Sequence, residues 1–194
     1  MHFSKVSTAK TVDLIKAAKK KGLNVSCDIT GYQALLDDSL LMDFDTNYKV
    51  NPPLREKTDS DALIKALKEG TIDVLITGHV PQDDESKFLE FDLADFGMIN
   101  LQTFASQLSS LSKWVEMEDL LEKITTTPRK LLKLEIPKIE IDEKACLTLY
   151  DPNAEWRFDK DNNYSKSKNS PWLGKTLKGR AVAVFNNGKS KIED

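Results

Sequence analysis

Val74-Leu-Ile-Thr-Gly-His-Val-Pro-Gln82 is the stretch of sequence that decides the fold. Its apolar opening predicts a buried strand over Ile72–Thr77, and the glycine, histidine and proline that follow predict a loop. Two earlier strands are predicted at residues 2–6 and at Asn24–Ile29. The stretch is therefore the third strand of a series, and its last residues leave the strand at one edge of the predicted sheet.

Helices are predicted between these strands. Ser7 or Thr8 can cap a helix that ends at Gly22, and Thr58 begins a second helix that ends at Gly70. Strands that alternate with helices pair in parallel, because parallel neighbours need a crossover connection. The sequence therefore predicts an α/β fold with three strand–helix units.

The second half of the chain has a different pattern. The segment from Phe96 to Leu134 has apolar residues at helical spacing, and no strand interrupts it. After Pro137, three short strands are predicted, at Ala145–Tyr150, Trp156–Phe158 and Ala181–Phe185. We expect these strands to form a small antiparallel annex.

Composition excludes several classes of protein. The 194 residues are 40% hydrophobic and 30% charged, and 28 basic and 31 acidic residues give a net charge of -3. The charges are mixed along the chain, so no basic stripe indicates a nucleic-acid partner. No apolar run approaches the roughly 20 residues of a membrane-spanning helix, and the amino terminus lacks a signal-peptide pattern. We therefore expect a cytoplasmic protein with neither nucleic acid nor membrane as a partner.

Several motifs in the same order carry a resemblance to a known family. They include Tyr48-Lys-Val-Asn-Pro-Pro-Leu-Arg55, Thr77-Gly-His-Val-Pro81, Phe96-Gly97 and Ser165-Lys-Ser-Lys-Asn-Ser-Pro-Trp-Leu-Gly174. Over nearly its whole length the chain resembles the C-terminal part of dihydroorotases. These enzymes belong to the amidohydrolase superfamily and interconvert carbamoyl aspartate and dihydroorotate in pyrimidine biosynthesis.

The resemblance implies a fold. It is the C-terminal portion of a (β/α)8 TIM barrel, with about three βα units followed by helices and a small antiparallel β annex. Residues 1–136 would be the partial barrel, and residues 137–194 would be the annex, shared with an N-terminal segment. Because a closed barrel needs eight strands, three units leave open edges. We therefore expect either a fragment or edges that another copy covers.

The resemblance also locates the family's metal site. Dihydroorotases use zinc to activate water, with a ligand histidine at the position of Lys5 and a metal-binding, proton-shuttling aspartate at the position of Gly78. A protonated lysine has no lone pair for zinc, and glycine has no side chain. The family's Thr-Pro-His-His also reads Thr30-Gly31-Tyr32-Gln33 here. We therefore predict no catalytic residue, no metal ligand and no cofactor in this chain.

Four residues match positions of the substrate site, which we predict to be vestigial. Asn51, Phe96 and Gly97 correspond to positions that contact the pyrimidine-like ring in the family. His79 adjoins the lost aspartate. Two other interpretations stay open: Asn51 only fixes the turn before two prolines, and His79 only bonds nearby backbone.

Two functions follow from these observations. The first is a catalytically inactive dihydroorotase homologue, a structural partner of aspartate transcarbamoylase or of other copies of itself, as pseudo-dihydroorotases are. The second is an active dihydroorotase or cyclic amidohydrolase that uses zinc when an N-terminal segment completes it.

Overall fold

The structure is a computed structural model that describes residues 1–192. Within these residues, six strands form two separate sheets. The strands are β1 His2–Phe3, β2 Ser26–Thr30, β3 Val74–Ile76, β4 Leu147–Arg157, β5 Thr176–Asn186 and β6 Lys189–Ile192. The helices are α1 Ala9–Lys20, α2 Gly31–Leu35, α3 Lys57–Lys68, α4 Asp84–Lys87, α5 Phe104–Leu111, α6 Met117–Ile124 and α7 Thr126–Leu132. Helical and extended segments thus alternate in the first half only.

The first sheet is parallel, with the order β1-β2-β3. Helices α1 and α3 connect its strands and contact each other, as the crossover prediction requires. Their apolar faces join the sheet and helices α5 and α6 in one core. This core includes Val12, Ile15, Ile29, Leu63, Leu67, Ile72, Leu75, Leu108, Leu111 and Leu120. The predicted α/β character of the first half is confirmed.

Several element boundaries in this half differ from the predicted ones, among them those of β1, at His2–Phe3, and of β2, at Ser26–Thr30. Thr8 does cap α1, and its side chain accepts a hydrogen bond from the amide of Thr11 at 3.3 Å. The prediction that Thr58 begins the second helix was wrong, because α3 starts at Lys57 after Glu56, whose side chain makes no capping bond. The third strand is also shorter than Ile72–Thr77, since pairing with β2 covers only Val74–Ile76.

The second sheet is antiparallel, with the order β4-β5-β6. Two of the predicted strands are parts of the single strand β4, in which the pairing register shifts between Asp151 and Glu155. Strand β6 was missed. It pairs with β5 after a two-residue turn, Asn187-Gly188, in which both residues have positive φ, 50° and 72°. Such a turn matches the twist of a hairpin.

Candidate functional site

The predicted site lies at the carboxyl edge of the parallel sheet. Lys5 follows β1, Gly31 follows β2, and Gly78 follows β3. Because parallel strands end at the same edge, these positions lie along one side of the sheet, where ligands bind in open α/β folds. The structure therefore brings the sequence departures to one edge.

A buried carboxylate, Asp28, fixes the first of these strand ends. Its Oδ1 accepts hydrogen bonds from the Lys5 amide at 2.7 Å and from Ser4 Oγ at 3.2 Å. Its Oδ2 accepts one from His2 Nε2 at 2.8 Å. Lys5 itself has left-handed backbone, with φ 56°. Asp28 was not predicted, although an acidic residue in the middle of a predicted strand was a usable signal.

Gly78 has no space for the family's aspartate. Its φ is +59°, and a Cβ built there would lie 2.5 Å from Thr30 Cγ2 and 2.8 Å from Tyr32 Cε1. Tyr32 stands where the family has a histidine, and only 2% of its surface is exposed. Burial raises the pKa of the Tyr32 hydroxyl. The tyrosine ring therefore fills the volume that a carboxylate would need.

Gln33, at the family's second histidine position, has a structural contact. Its Nε2 donates to the carbonyl oxygens of Pro52 at 2.7 Å and Pro53 at 3.2 Å. This buried side chain links the end of β2 to the loop that contains Pro52 and Pro53. The amide nitrogen of Gln33 is therefore already bonded to backbone carbonyl oxygens.

The residues present at this edge do not fit zinc. Zinc sites in proteins use cysteine, histidine and carboxylate ligands, usually three or four together. Within residues 1–192, no three such side chains come together in a group that could hold a metal ion. Lys5, Tyr32, Gln33 and Gly78 supply neither a thiolate, an imidazole nor a carboxylate. No step of a reaction can therefore be assigned to a metal held by these residues.

The backbone of Phe96 and Gly97 forms hydrogen bonds with other residues of the protein. The carbonyl of Phe96 accepts a hydrogen bond from Gln82 Nε2 at 3.0 Å, and that of Gly97 accepts one from Lys87 Nζ at 3.2 Å. The amide of Gly97 donates to the carbonyl of Lys49 at 2.8 Å. These three backbone groups of the segment are thus already hydrogen-bonded.

Asn51 and His79, two of the predicted substrate-site residues, lie in different surroundings. Asn51 is exposed, and within the described residues its side chain makes no hydrogen bond. His79 Nδ1 accepts from the amides of Asn100 at 2.9 Å and Leu101 at 3.1 Å, so the ring bonds nearby backbone. Desolvation lowers the pKa of His79. With Nδ1 an acceptor, the neutral ring carries its proton on Nε2.

His79 lines a cavity of about 350 Å³. Phe158, Asn163 and Tyr164 also line it. The described residues of its lining do not include Asn51, Phe96 or Gly97. This space is therefore separate from the predicted substrate segment.

Two buried lysines, which were not predicted from the sequence, form contacts with the segment from Asp92 to Gly97. Lys49 Nζ lies 4.8 Å from the centre of the Phe96 ring and donates to the Asp92 carbonyl at 2.8 Å. Lys87 Nζ donates to the Asp95 carbonyl at 2.8 Å as well as to Gly97. Burial, with a smaller contribution from Lys49, lowers the pKa of Lys87 to about 8.

Lys87 gives a prediction about pH. The unfolded chain holds this proton more tightly than the folded protein, because the folded pKa is about 8 against the usual 10.5. The contribution of Lys87 to stability is therefore lowest below pH 8 and rises as the pH increases from about 8 to about 10.5. We expect chemical unfolding at a series of pH values to show this rise in the native protein and not in Lys87→Met. Parallel curves for the two proteins would contradict the assignment.

Comparisons with known proteins show what the chain is similar to. No family model matches the chain. An L-hydantoinase structure from Arthrobacter aurescens superposes with a TM-score of 0.88 at 24% identity, covering 99% of this chain and 44% of that protein. An inactive dihydroorotase-like domain from a Chaetomium thermophilum CAD-like multifunctional protein gives a TM-score of 0.73 at 20% identity, covering 100% of this chain and 51% of that one. The chain therefore shares its fold with about half of each of these larger TIM-barrel proteins.

Sequence comparison adds relatives that are named dihydroorotase. The chain is 41% identical to a dihydroorotase of Carboxydothermus hydrogenoformans and 39% identical to one of Endomicrobium trichonymphae, over 97% of its own length in both cases. It is a homologue of the dihydroorotases. The chain spans about half the length of these curated relatives, 45% and 46% respectively. No helix of the described residues is both long and apolar enough to cross a membrane.

Proposed function

We propose that this chain is a dihydroorotase-related component of pyrimidine biosynthesis that does not itself catalyse hydrolysis and serves as a structural partner. It corresponds to the C-terminal portion of the barrel, with residues 137–194 as the β annex. The family relationship rests on sequence identity to proteins named dihydroorotase. The proposed loss of catalysis rests on the side chains at the strand ends.

The observation that carries this proposal is the packing around Gly78. A missing carboxylate alone could be replaced by another acid nearby. Here the position is enclosed, because Thr30 and Tyr32 lie within 3 Å of where a Cβ would stand. The region that would hold a metal and water in an enzyme is filled by the protein core, so retention of the fold without the reaction is the simplest account.

The proposed partners are aspartate transcarbamoylase or a second copy of this protein. A part-barrel supports this idea, because the described sheet has β1 and β3 at its two edges, and unpaired strand edges favour association. Analytical ultracentrifugation of the intact protein, alone and with the transcarbamoylase of the same organism, tests both partners. If the protein alone is a monomer, and if it also sediments separately from the transcarbamoylase in the mixture, the structural role is contradicted.

The competing function is zinc-dependent hydrolysis of dihydroorotate with ligands from outside these residues. The identity of 41% to a named dihydroorotase is the observation that favours it. The two functions differ in what the intact, zinc-supplied protein does to dihydroorotate.

We expect no hydrolysis of dihydroorotate above the protein-free rate. Loss of a general acid or base alone reduces rates by about 100- to 10,000-fold, and loss of metal ligands lowers them further. The measurement is the absorbance change of dihydroorotate with purified intact protein and added zinc, with the Carboxydothermus hydrogenoformans relative assayed alongside as a positive control. Zinc-dependent turnover at a rate comparable to that control would refute the proposal.

A further inference from the structure

Two loops at the carboxyl edge of the sheet contact each other and form one surface. They are residues 36–49 and residues 82–96, called here the paired loops. The rings of Phe44 and Phe91 meet edge to face at 5.9 Å. Thr46 Oγ1 donates to the Lys87 carbonyl at 2.7 Å, and Lys49 reaches the Asp92 carbonyl. These contacts hold the two loops beside each other.

The paired loops expose large apolar side chains. Phe88 is 93% exposed, Met42 78%, Phe44 69% and Leu93 65%. Leu89 and Phe96 are also exposed. Burying such side chains is favourable by about 25 cal/mol per Å² of apolar area, and concentrations of them at a surface are typical of interaction sites.

The same loops are strongly acidic. They carry ten carboxylates, namely Asp37, Asp38, Asp43, Asp45, Asp83, Asp84, Glu85, Glu90, Asp92 and Asp95. Among the described residues only Asp84 forms a salt bridge with a basic side chain, Lys168 at 2.9 Å. The two lysines of the loops, Lys49 and Lys87, are buried and bond backbone carbonyls. The exposed surface of the paired loops therefore combines apolar side chains with many carboxylates.

We propose that the paired loops bind a lysine- or arginine-rich amphipathic segment of a partner protein. Its apolar side chains contact Phe88, Leu93 and their neighbours, and its basic side chains face the carboxylates, as charge complementarity requires. Nucleic acid and anionic membranes carry the same sign of charge as these loops and are repelled. A second copy that docked through the same surface would bring two acidic rims together. This inference does not depend on whether the protein is catalytically active.

A matched pair of double variants tests the surface. Asp92→Asn with Leu93→Ser removes one acid and one exposed leucine from the paired loops. Asp13→Asn with Leu14→Ser removes the same groups from helix α1, where Leu14 is 63% exposed against 65% for Leu93. The probe is a synthetic helical peptide of leucine and lysine with one apolar face, and its binding to the intact proteins is followed by fluorescence anisotropy.

We expect the variant in the paired loops to weaken peptide binding by about tenfold or more, because it loses one charge and one exposed leucine that the bound peptide would cover. The variant in helix α1 should bind as the native protein does, and added salt should weaken binding to both. Equal effects of the two double variants, or tighter binding of a peptide with glutamate in place of lysine, would overturn the proposal. So would a self-associated native protein that the Asp92 and Leu93 substitutions convert to a monomer, since the occupant would then be a second copy. Circular dichroism of each variant confirms that the fold is retained.

Discussion

Gly78→Asp, the substitution that restores the family's aspartate, is expected to lower the free energy of unfolding by about 2 to 4 kcal/mol without giving activity. A Cβ at this position would lie 2.5 Å from Thr30 and 2.8 Å from Tyr32, and overpacking of this kind costs about 1 to 3 kcal/mol. The left-handed backbone, φ +59°, adds about 1 kcal/mol for a residue with a side chain. Urea denaturation of native protein and variant measures the difference.

The control for this substitution is Gly22→Asp. Gly22 has φ +75°, but nothing lies within 4 Å of a Cβ built there, so only the backbone cost of about 1 kcal/mol applies. The difference between the two variants isolates the packing of Thr30 and Tyr32 against position 78. If Gly78→Asp is no less stable than Gly22→Asp, the space at the strand end is open and our description of the site is wrong.

Tyr32→Ala is expected to lower the free energy of unfolding by about 3 to 5 kcal/mol, the usual cost of removing a buried aromatic ring. Tyr32 is 2% exposed and packs with Val50, Leu54 and Met98 in a second apolar cluster. Residues that serve catalysis often lower the stability of the fold. Replacing them therefore changes the free energy of unfolding little, or raises it. A large loss is therefore expected only if the tyrosine is part of the core. The measurement is again urea denaturation.

Two further variants separate the contributions of the tyrosine. Tyr32→Phe keeps the ring and its packing and should cost no more than about 1 kcal/mol. In the double variant Gly78→Asp with Tyr32→Ala, the costs should be less than additive by about 1 to 3 kcal/mol, because the smaller residue leaves space for the new carboxylate. Strictly additive costs would show that the two positions do not share the same volume.

The strand–helix alternation was readable from the sequence because each unit is local. Apolar spacing, the Thr8 cap and the glycines at helix ends lie within a few residues of the elements they define. Strand β6 was missed because all four of its residues, Lys189–Ile192, are exposed and show no apolar alternation. Its pairing depends on the Asn187-Gly188 turn and on β5.

The candidate site was predictable in part. The absence of ligand side chains at Lys5 and Gly78 is a property of the sequence compared with its family. The residue that fills the space beside Gly78 could not be predicted in this way. Tyr32 lies 46 positions from Gly78 along the chain, and only the fold brings the two together. The burial of Lys49 and Lys87 has the same cause, because two loops distant in sequence cover them.

The most direct test of the central proposal is anomalous X-ray scattering at the zinc absorption edge, from crystals of the intact protein grown with added zinc. We expect no zinc peak within about 2.3 Å, the length of a zinc–ligand bond, of any side chain at the ends of β1, β2 and β3. A peak coordinated there by side chains of these residues, next to Lys5 and Gly78, would contradict the interpretation that this edge of the sheet has lost its metal site.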